Sequence, residues 1–122
     1  KLEPFESPLN CAMQETYEET GVKVAEMKFT GVLTENSSTK YNWINYVYIS
    51  EIEHIAPPAC NEGILEWIEF ADVLKVPTPK TDWFIYKYIL EKKPFVFNAE
   101  YDDELNLLAI QEEIENKTLL QL

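Results

Sequence analysis

The chain contains few basic residues, one histidine and two cysteines, and each of these low counts argues against a class of partner or site. Its 122 residues hold 10 Lys and Arg against 22 Asp and Glu, a formal net charge of −12 at pH 7. Because DNA and RNA polymers are bound by Lys/Arg patches that displace counterions, we expect no nucleic-acid polymer as a partner. The single histidine, His54, leaves no histidine-based metal cluster. Two cysteines do not make a disulfide framework, which predicts a reducing, cytoplasmic setting.

Long apolar runs are also absent, although the chain is rich in apolar residues. No run approaches the roughly 20 residues of a membrane-spanning helix, so we expect no membrane partner. Hydrophobic residues nevertheless make up 46% of the chain, including 3 Trp, 7 Tyr and 6 Phe. That content is typical of a packed globule of one domain. A small phosphorylated ligand is compatible with the acidic surface if divalent cations screen the acids.

The acidic stretch QETYEETG ends at Gly21 and follows a strong helix start. Ser7 can cap a helix whose first residue is Pro8, and Gly21 can end it. At helical spacing, three carboxylates converge within one turn: those of Glu15, Glu18 and Glu19. Carboxylates this close either form a solvated helix face or hold a cation, and the pattern alone leaves both open.

The rest of the chain predicts an α+β protein with a mixed sheet. The predicted elements are one or two strands over 22–34, a loop over 35–42, strands over 43–50 and 64–70, a helix over 81–92, a hairpin over 95–110 turning near Asp102, and a helical or frayed end over 111–122. Both faces of the strand at 43–50 are largely apolar, which predicts a sheet covered on both sides.

The acidic helix and its flanks resemble the Nudix box. Glu6, seven residues, and then QETYEETGV from Gln14 to Val22 fit the spacing of the box, and KLEPFES resembles the GGKxExGES that commonly opens it. A looser likeness to MutT-type 8-oxo-dGTP diphosphatases covers residues 61–97. A solvated acidic face does not explain Glu6, the helix start and Gly21 together. The resemblance implies a Nudix-type α/β/α sandwich.

That resemblance also sets the expected domain organisation. Residues 1–122 are expected to form a single Nudix hydrolase domain that is incomplete at its N-terminus. The glycine pair and the first strand that usually precede the box do not appear before Lys1. We expect the gap to be filled by a further segment or by a partner chain, which leaves a homodimer open.

The resemblance implies Mg²⁺-dependent or Mn²⁺-dependent hydrolysis of a nucleoside triphosphate, such as an oxidised purine nucleotide like 8-oxo-dGTP, to monophosphate and pyrophosphate. It assigns metal binding to four carboxylates, those of Glu15, Glu18, Glu19 and Glu62, and a catalytic role to Glu15, Glu18 and Glu62. Hard oxygen ligands of this kind suit Mg²⁺ and Mn²⁺. A solvated loop acid is the alternative for Glu62.

Base recognition is expected at a second group of residues. Asp82 matches the place where MutT-like relatives often hold an acid that contacts a purine edge, although an acid at a helix N-terminus can instead complement the helix dipole. Three aromatic residues are candidate stacking partners of the base: Phe29, Trp43 and Trp83. Aromatic residues in helices and strands more often belong to the core.

Three departures from the family pattern bear on activity. Gln14 stands where the family has Arg, so a hydrogen bond to a neighbouring Glu is retained without the charge. Thr16 replaces an apolar residue, and Phe5 replaces a common glycine. Two alternatives therefore remain: hydrolysis of another nucleoside diphosphate derivative, and a degenerate domain that binds a nucleotide or a protein without turnover.

Overall fold

Two compact units make up the part of the chain that the computed structural model describes, residues 1–40, 42–57, 59 and 63–122. The first unit contains Lys1–Phe29 and Tyr48–Glu69, and the second contains Thr30–Val47 and Phe70–Leu122. In chain order the elements are α1 (Pro8–Thr20), β1 (Lys28–Ser37), β2 (Asn42–Ile49), a 3₁₀ helix (Phe70–Lys75), α2 (Lys80–Leu90), β3 (Phe95–Tyr101), β4 (Leu107–Glu112) and β5 (Lys117–Gln121). None of the helices in the described residues is long and apolar enough to cross a membrane.

The strands form one five-stranded mixed sheet in the order β2-β1-β3-β4-β5. β1 runs parallel to β3, and β3, β4 and β5 are successively antiparallel. Gly31 of β1 is in register with Phe95 of β3, and a Cβ atom at Gly31 would lie 2.5 Å from both the ring and the carbonyl oxygen of Phe95. Glycine therefore permits this close pairing of β1 with β3. The predicted α+β class with a mixed sheet is confirmed.

The core of the second unit lies between α2 and the sheet. Phe95, Phe97 and Ala99 alternate along β3, and each is at most 1% exposed. Tyr88 of α2 meets Phe97 edge to face, with the ring centroids 4.9 Å apart. The same cluster includes Leu33, Ile85 and Ile110. The alternation on β3 and the helical spacing on α2 bring these apolar faces together.

Two predicted elements are wrong. Residues 64–69 contain no strand, and the 3₁₀ helix begins at Phe70. Trp67 donates its indole N–H to the carbonyl oxygen of Ile55, a side-chain bond that holds this segment without a strand ladder. The predicted helical or frayed end is instead β5, which pairs with β4 after a turn at Asn116, whose φ is 57°.

Strands are present in the middle of the chain as predicted, but their bounds and their exposure differ from the prediction. β1 begins later than predicted and continues to Ser37, into the segment expected to be a loop. β2 lies at the edge of the sheet. Trp43 and Ile44 of β2 are 59% and 64% exposed, so the expectation of cover on both faces of this strand is not met.

Candidate active site

The helix that carries the acidic stretch is fixed at both ends by the residues that predicted it. The hydroxyl oxygen of Ser7 accepts a hydrogen bond from the backbone N–H of Asn10 at 3.1 Å, and Pro8 occupies the first helical position. Gly21 adopts a φ of 73° and donates its N–H to the carbonyl oxygen of Tyr17 at 2.8 Å. Both caps satisfy backbone groups that a helix end leaves unpaired.

Three exposed carboxylates extend from this helix, those of Glu15, Glu18 and Glu19. Gln14 donates its side-chain N–H to a carboxylate oxygen of Glu18 at 3.0 Å. At the place of the family's Arg, Gln14 therefore orients Glu18 but does not neutralise it. Like charges at these spacings disfavour the helix by a few tenths of a kcal/mol per pair, and a bound cation would reverse that effect.

The chemistry of the carboxylate group fits a hard divalent cation, but the side-chain conformations do not converge on one. Within residues 1–40, 42–57, 59 and 63–122, no group of three or more His, Cys, Asp or Glu side chains is arranged to hold a metal ion. Because the α1 carboxylates are exposed, they can change rotamer within nanoseconds. Glu62, the fourth predicted ligand, lies outside the described residues.

The acid that opens the box closes a turn immediately before α1. The backbone N–H of Glu6 donates to the carbonyl oxygen of Glu3 at 3.0 Å, and the backbone N–H of Glu3 donates to a carboxylate oxygen of Glu6 at 3.0 Å. Glu6 is thereby held directly before the Ser7 cap. Because Glu6 closes the turn just before the helix, its position in the sequence relative to the acids of α1 is set in part by this structural role.

In the second unit, Asp82 is the third residue of α2, and the capping residue is Pro79, which offers no side-chain bond. Burial raises the pKa of the Asp82 carboxyl, and the negative charge of Glu35 raises it further. Asp82 has no hydrogen-bond or ion-pair partner among the described residues. A half-buried carboxyl without a partner can accept hydrogen bonds from a ligand.

Glu35 was not singled out from the sequence, although it shapes the surroundings of Asp82. Its carboxylate accepts hydrogen bonds from the Tyr101 hydroxyl at 2.6 Å and from the side-chain amide of Asn45 at 3.2 Å. Glu35 follows the buried Leu33 by two positions and so shares its face of β1. The sequence feature that could have identified Glu35 is an acidic residue on the inward face of a strand.

The aromatic candidates have different surroundings. The indole N–H of Trp83 donates to the carbonyl oxygen of Leu74 at 3.0 Å, and its ring meets Phe84 with centroids 5.1 Å apart. These contacts give Trp83 a structural role between α2 and the 3₁₀ helix. Phe29 is 51% exposed and contacts Tyr48 edge to face, while Trp43 is 59% exposed on β2.

The predicted residues are thus divided between the two units. The first unit contains Phe29 and the three acids of α1, and the second contains Trp43, Asp82 and Trp83. Asp82 and Glu35, which the sequence analysis missed, both lie in the second unit and are in electrostatic contact with each other.

Comparison with known proteins identifies the family. The family described as NUDIX domain matches residues 1–92. A solved crystal structure, that of the mutator MutT protein from Bacillus halodurans, is similar with a TM-score of 0.81 and 26% sequence identity. The similarity covers 93% of this chain and 78% of that one. Since the NUDIX match spans most of the described residues and includes the capped acidic helix, the chain belongs to the NUDIX family of hydrolases.

Proposed function

We propose that this chain hydrolyses a nucleoside triphosphate to the monophosphate and pyrophosphate, with Mg²⁺ or Mn²⁺ as cofactor. The observation that carries the proposal is the capped helix α1, on which exposed carboxylates stand at the spacing of the box and one of them is oriented by Gln14. The match to the NUDIX family and the likeness to the MutT protein support the same class of reaction.

The residues have separate roles in this proposal. Glu15, Glu18, Glu19 and Glu62 are the carboxylates that hold the metal. A bound divalent cation supplies neutralisation of phosphate oxygens and lowers the pKa of a water molecule. Gln14 keeps the Glu18 carboxylate aimed, which leaves one of its oxygens without that hydrogen bond and available to a ligand. Glu15 and Glu62 share the catalytic assignment with Glu18.

A purine nucleotide, such as 8-oxo-dGTP, is the proposed substrate. Asp82 is the residue proposed to accept hydrogen bonds from the base, since its carboxyl is half-buried and without a partner among the described residues. Phe29 and Trp43 are the exposed aromatic candidates for stacking on the base. Another nucleoside diphosphate derivative is the alternative substrate class.

Gln14 favours one competing proposal, a domain that binds a nucleotide without turnover. A neutral amide does not offset the charge of the three acids, so metal binding has to overcome more repulsion than it would beside an Arg. Release of pyrophosphate separates the two proposals, because a binding domain gives none.

The test measures pyrophosphate release from a panel of canonical and oxidised nucleoside triphosphates in the presence of Mg²⁺. We expect Glu18→Gln to lower kcat/KM at least about a hundredfold, since even residues that only support metal ligands cost 10–100-fold when removed. Glu26→Gln is the control, because Glu26 is an exposed acid of the same unit and undergoes the same charge change. No release by the wild type, or full activity in Glu18→Gln, would contradict the proposal.

A further inference from the structure

Two half-buried carboxyl groups lie beside the apolar core of the second unit. Leu33 of β1 and Ile85 of α2 belong to the same core cluster. Glu35 follows Leu33 by two positions on the same face of β1, and Asp82 precedes Ile85 by about one turn of α2. The packing of α2 on the sheet therefore brings the two carboxyl groups near each other. Burial and the nearby charge of Glu35 both raise the pKa of Asp82.

One carboxyl group of this pair is held by the protein and the other is not. The carboxylate of Glu35 accepts hydrogen bonds from the Tyr101 hydroxyl at 2.6 Å and from the Asn45 side-chain amide at 3.2 Å. The same amide also donates to the carbonyl oxygen of Leu33 at 3.2 Å, which fixes it against β1. Asp82 has no hydrogen-bond or ion-pair partner among the described residues. The charge of Glu35 is thus fixed in place, while Asp82 is left to pair with a ligand.

We propose that Glu35 is a specificity-determining residue that acts through Asp82, so that the pair selects a nucleotide base whose edge presents two adjacent N–H donors. The inference rests on the proposed function, in which Asp82 accepts hydrogen bonds from the base. Guanine has such an edge, because its N1–H lies beside its 2-amino group. Adenine has an acceptor beside its amino group, and hypoxanthine differs from guanine in lacking the 2-amino group.

Two negative charges near one base edge favour donors and disfavour acceptors. An ionised carboxylate can only accept hydrogen bonds, and its bonds from N–H groups are stronger than neutral ones. Each N–H group on the base is attracted by both carboxylates, and an acceptor atom in the same place is repelled by both. The fixed charge of Glu35 therefore increases the preference for guanine over the other purines without a contact between Glu35 and the base.

The experiment measures kcat/KM of the whole chain for GTP, ITP and ATP with Mg²⁺. Wild type should prefer GTP to ITP at least about tenfold, since the 2-amino group adds one hydrogen bond to a charged acceptor. Glu35→Gln should reduce that preference about three- to tenfold, because it has the same shape without the charge. Glu35→Asp keeps the charge and should retain the preference within about twofold. Glu100→Gln is the control, since Glu100 is an exposed acid of β3 in the same unit.

A second uncharged variant covers the case in which Glu35→Gln does not fold. Glu35→Thr places a residue suited to a strand at this position of β1, and its GTP preference should fall as in Glu35→Gln. Thermal melting of each variant establishes that it is folded before its kinetics are compared.

The outcomes separate this inference from the proposed function. Hydrolysis by the wild type without a preference for GTP over ITP overturns the inference alone. A preference that is unchanged in folded Glu35→Gln or Glu35→Thr also overturns it, and so does an equal loss for all three nucleotides, since Glu35 would then support only the fold.

If the wild type releases no pyrophosphate, the Kd values for GMP and IMP replace kcat/KM, because neither nucleotide has a phosphoanhydride bond to hydrolyse. Tighter binding of GMP than of IMP, reduced in Glu35→Gln, then supports the inference although hydrolysis fails. Equal binding of the two nucleotides, or no detectable binding, overturns it.

Discussion

The surroundings of Asp82 have opposing effects on the ionisation of its carboxyl group. An acid in the first turn of α2 complements the helix dipole, which favours its ionised form. Burial and the charge of Glu35 have the opposite effect, and they raise the pKa of the carboxyl. If the ionised carboxylate accepts hydrogen bonds from a base, affinity should begin to fall at a higher pH than for an ordinary Asp as the solution is acidified.

Asp82→Ala should weaken discrimination between purine and pyrimidine triphosphates by about 1–3 kcal/mol, the usual cost of leaving a buried polar partner unpaired. The measurement is kcat/KM for each nucleotide at one pH. Asp72→Ala is the control, since Asp72 lies in the 3₁₀ helix and pairs with Lys75 on the surface. Equal losses for every nucleotide would show that Asp82 supports only the helix.

Single side chains were predictable from the sequence where their role is local. The Ser7 cap, the Gly21 end and the Gln14–Glu18 bond all join residues within four positions of one another. The Tyr101–Glu35 bond joins residues 66 positions apart, and no local pattern indicates such a pair. The surroundings of Asp82 could therefore not be derived before the strands were placed.

At the scale of the element, the difference between local contacts and contacts distant in sequence explains which helices and strands were predicted correctly. α1 was predicted from its caps and its helical spacing, and α2 from its helical spacing, because these are local properties. Residues 64–69 have the composition of a strand, but a strand also needs a partner, and here a side-chain bond from Trp67 replaces the ladder. β5 was missed for the converse reason: its pairing with β4, which no local pattern indicates, makes a strand of Lys117–Gln121.

The turn between β4 and β5 depends on a buried carboxylate. Glu112 is 1% exposed and accepts three backbone hydrogen bonds, from Val96 at 2.9 Å, Ile114 at 3.0 Å and Glu115 at 2.7 Å. Burial alone would raise the pKa of this carboxyl, but the three N–H groups outweigh it, and the pKa is lowered. The carboxylate thereby ties the hairpin to β3.

Glu112→Gln should lower the free energy of unfolding by about 2–3 kcal/mol at pH 7, because an amide offers one acceptor oxygen instead of two charged ones. Urea denaturation measures this difference, and Glu113→Gln, an exposed neighbour, is the control. Since the folded pKa is lowered, the stabilisation by Glu112 is fully present above the unfolded pKa of about 4.3 and is lost as pH falls through the lower folded pKa. A difference that does not shrink in acid would contradict the role of the charge.

At the scale of the whole molecule, an excess of 12 negative charges has to be reconciled with a folded and functional protein. The composition predicts on electrostatic grounds that nucleic-acid polymers are not partners, which stays a prediction, and the box spacing indicates where a cation would relieve the repulsion. The family assignment from the sequence is confirmed. The metal ligands stay a prediction, because the described carboxylates do not converge and Glu62 lies outside the described residues.

The most direct test of the central claim is the melting temperature with and without millimolar Mg²⁺ or Mn²⁺, measured for wild type, Glu18→Gln and the control Glu26→Gln. A cation that binds only the folded state stabilises it by mass action, by about 2.7 kcal/mol at a hundred times its Kd. We predict a clear rise in Tm with metal for wild type and for Glu26→Gln. Glu18→Gln should lose most of that rise while melting at or slightly above the wild-type Tm without metal, since one repulsive charge is removed. A metal-induced rise of the same size in Glu18→Gln would show instead that the acids of α1 are only a solvated helix face.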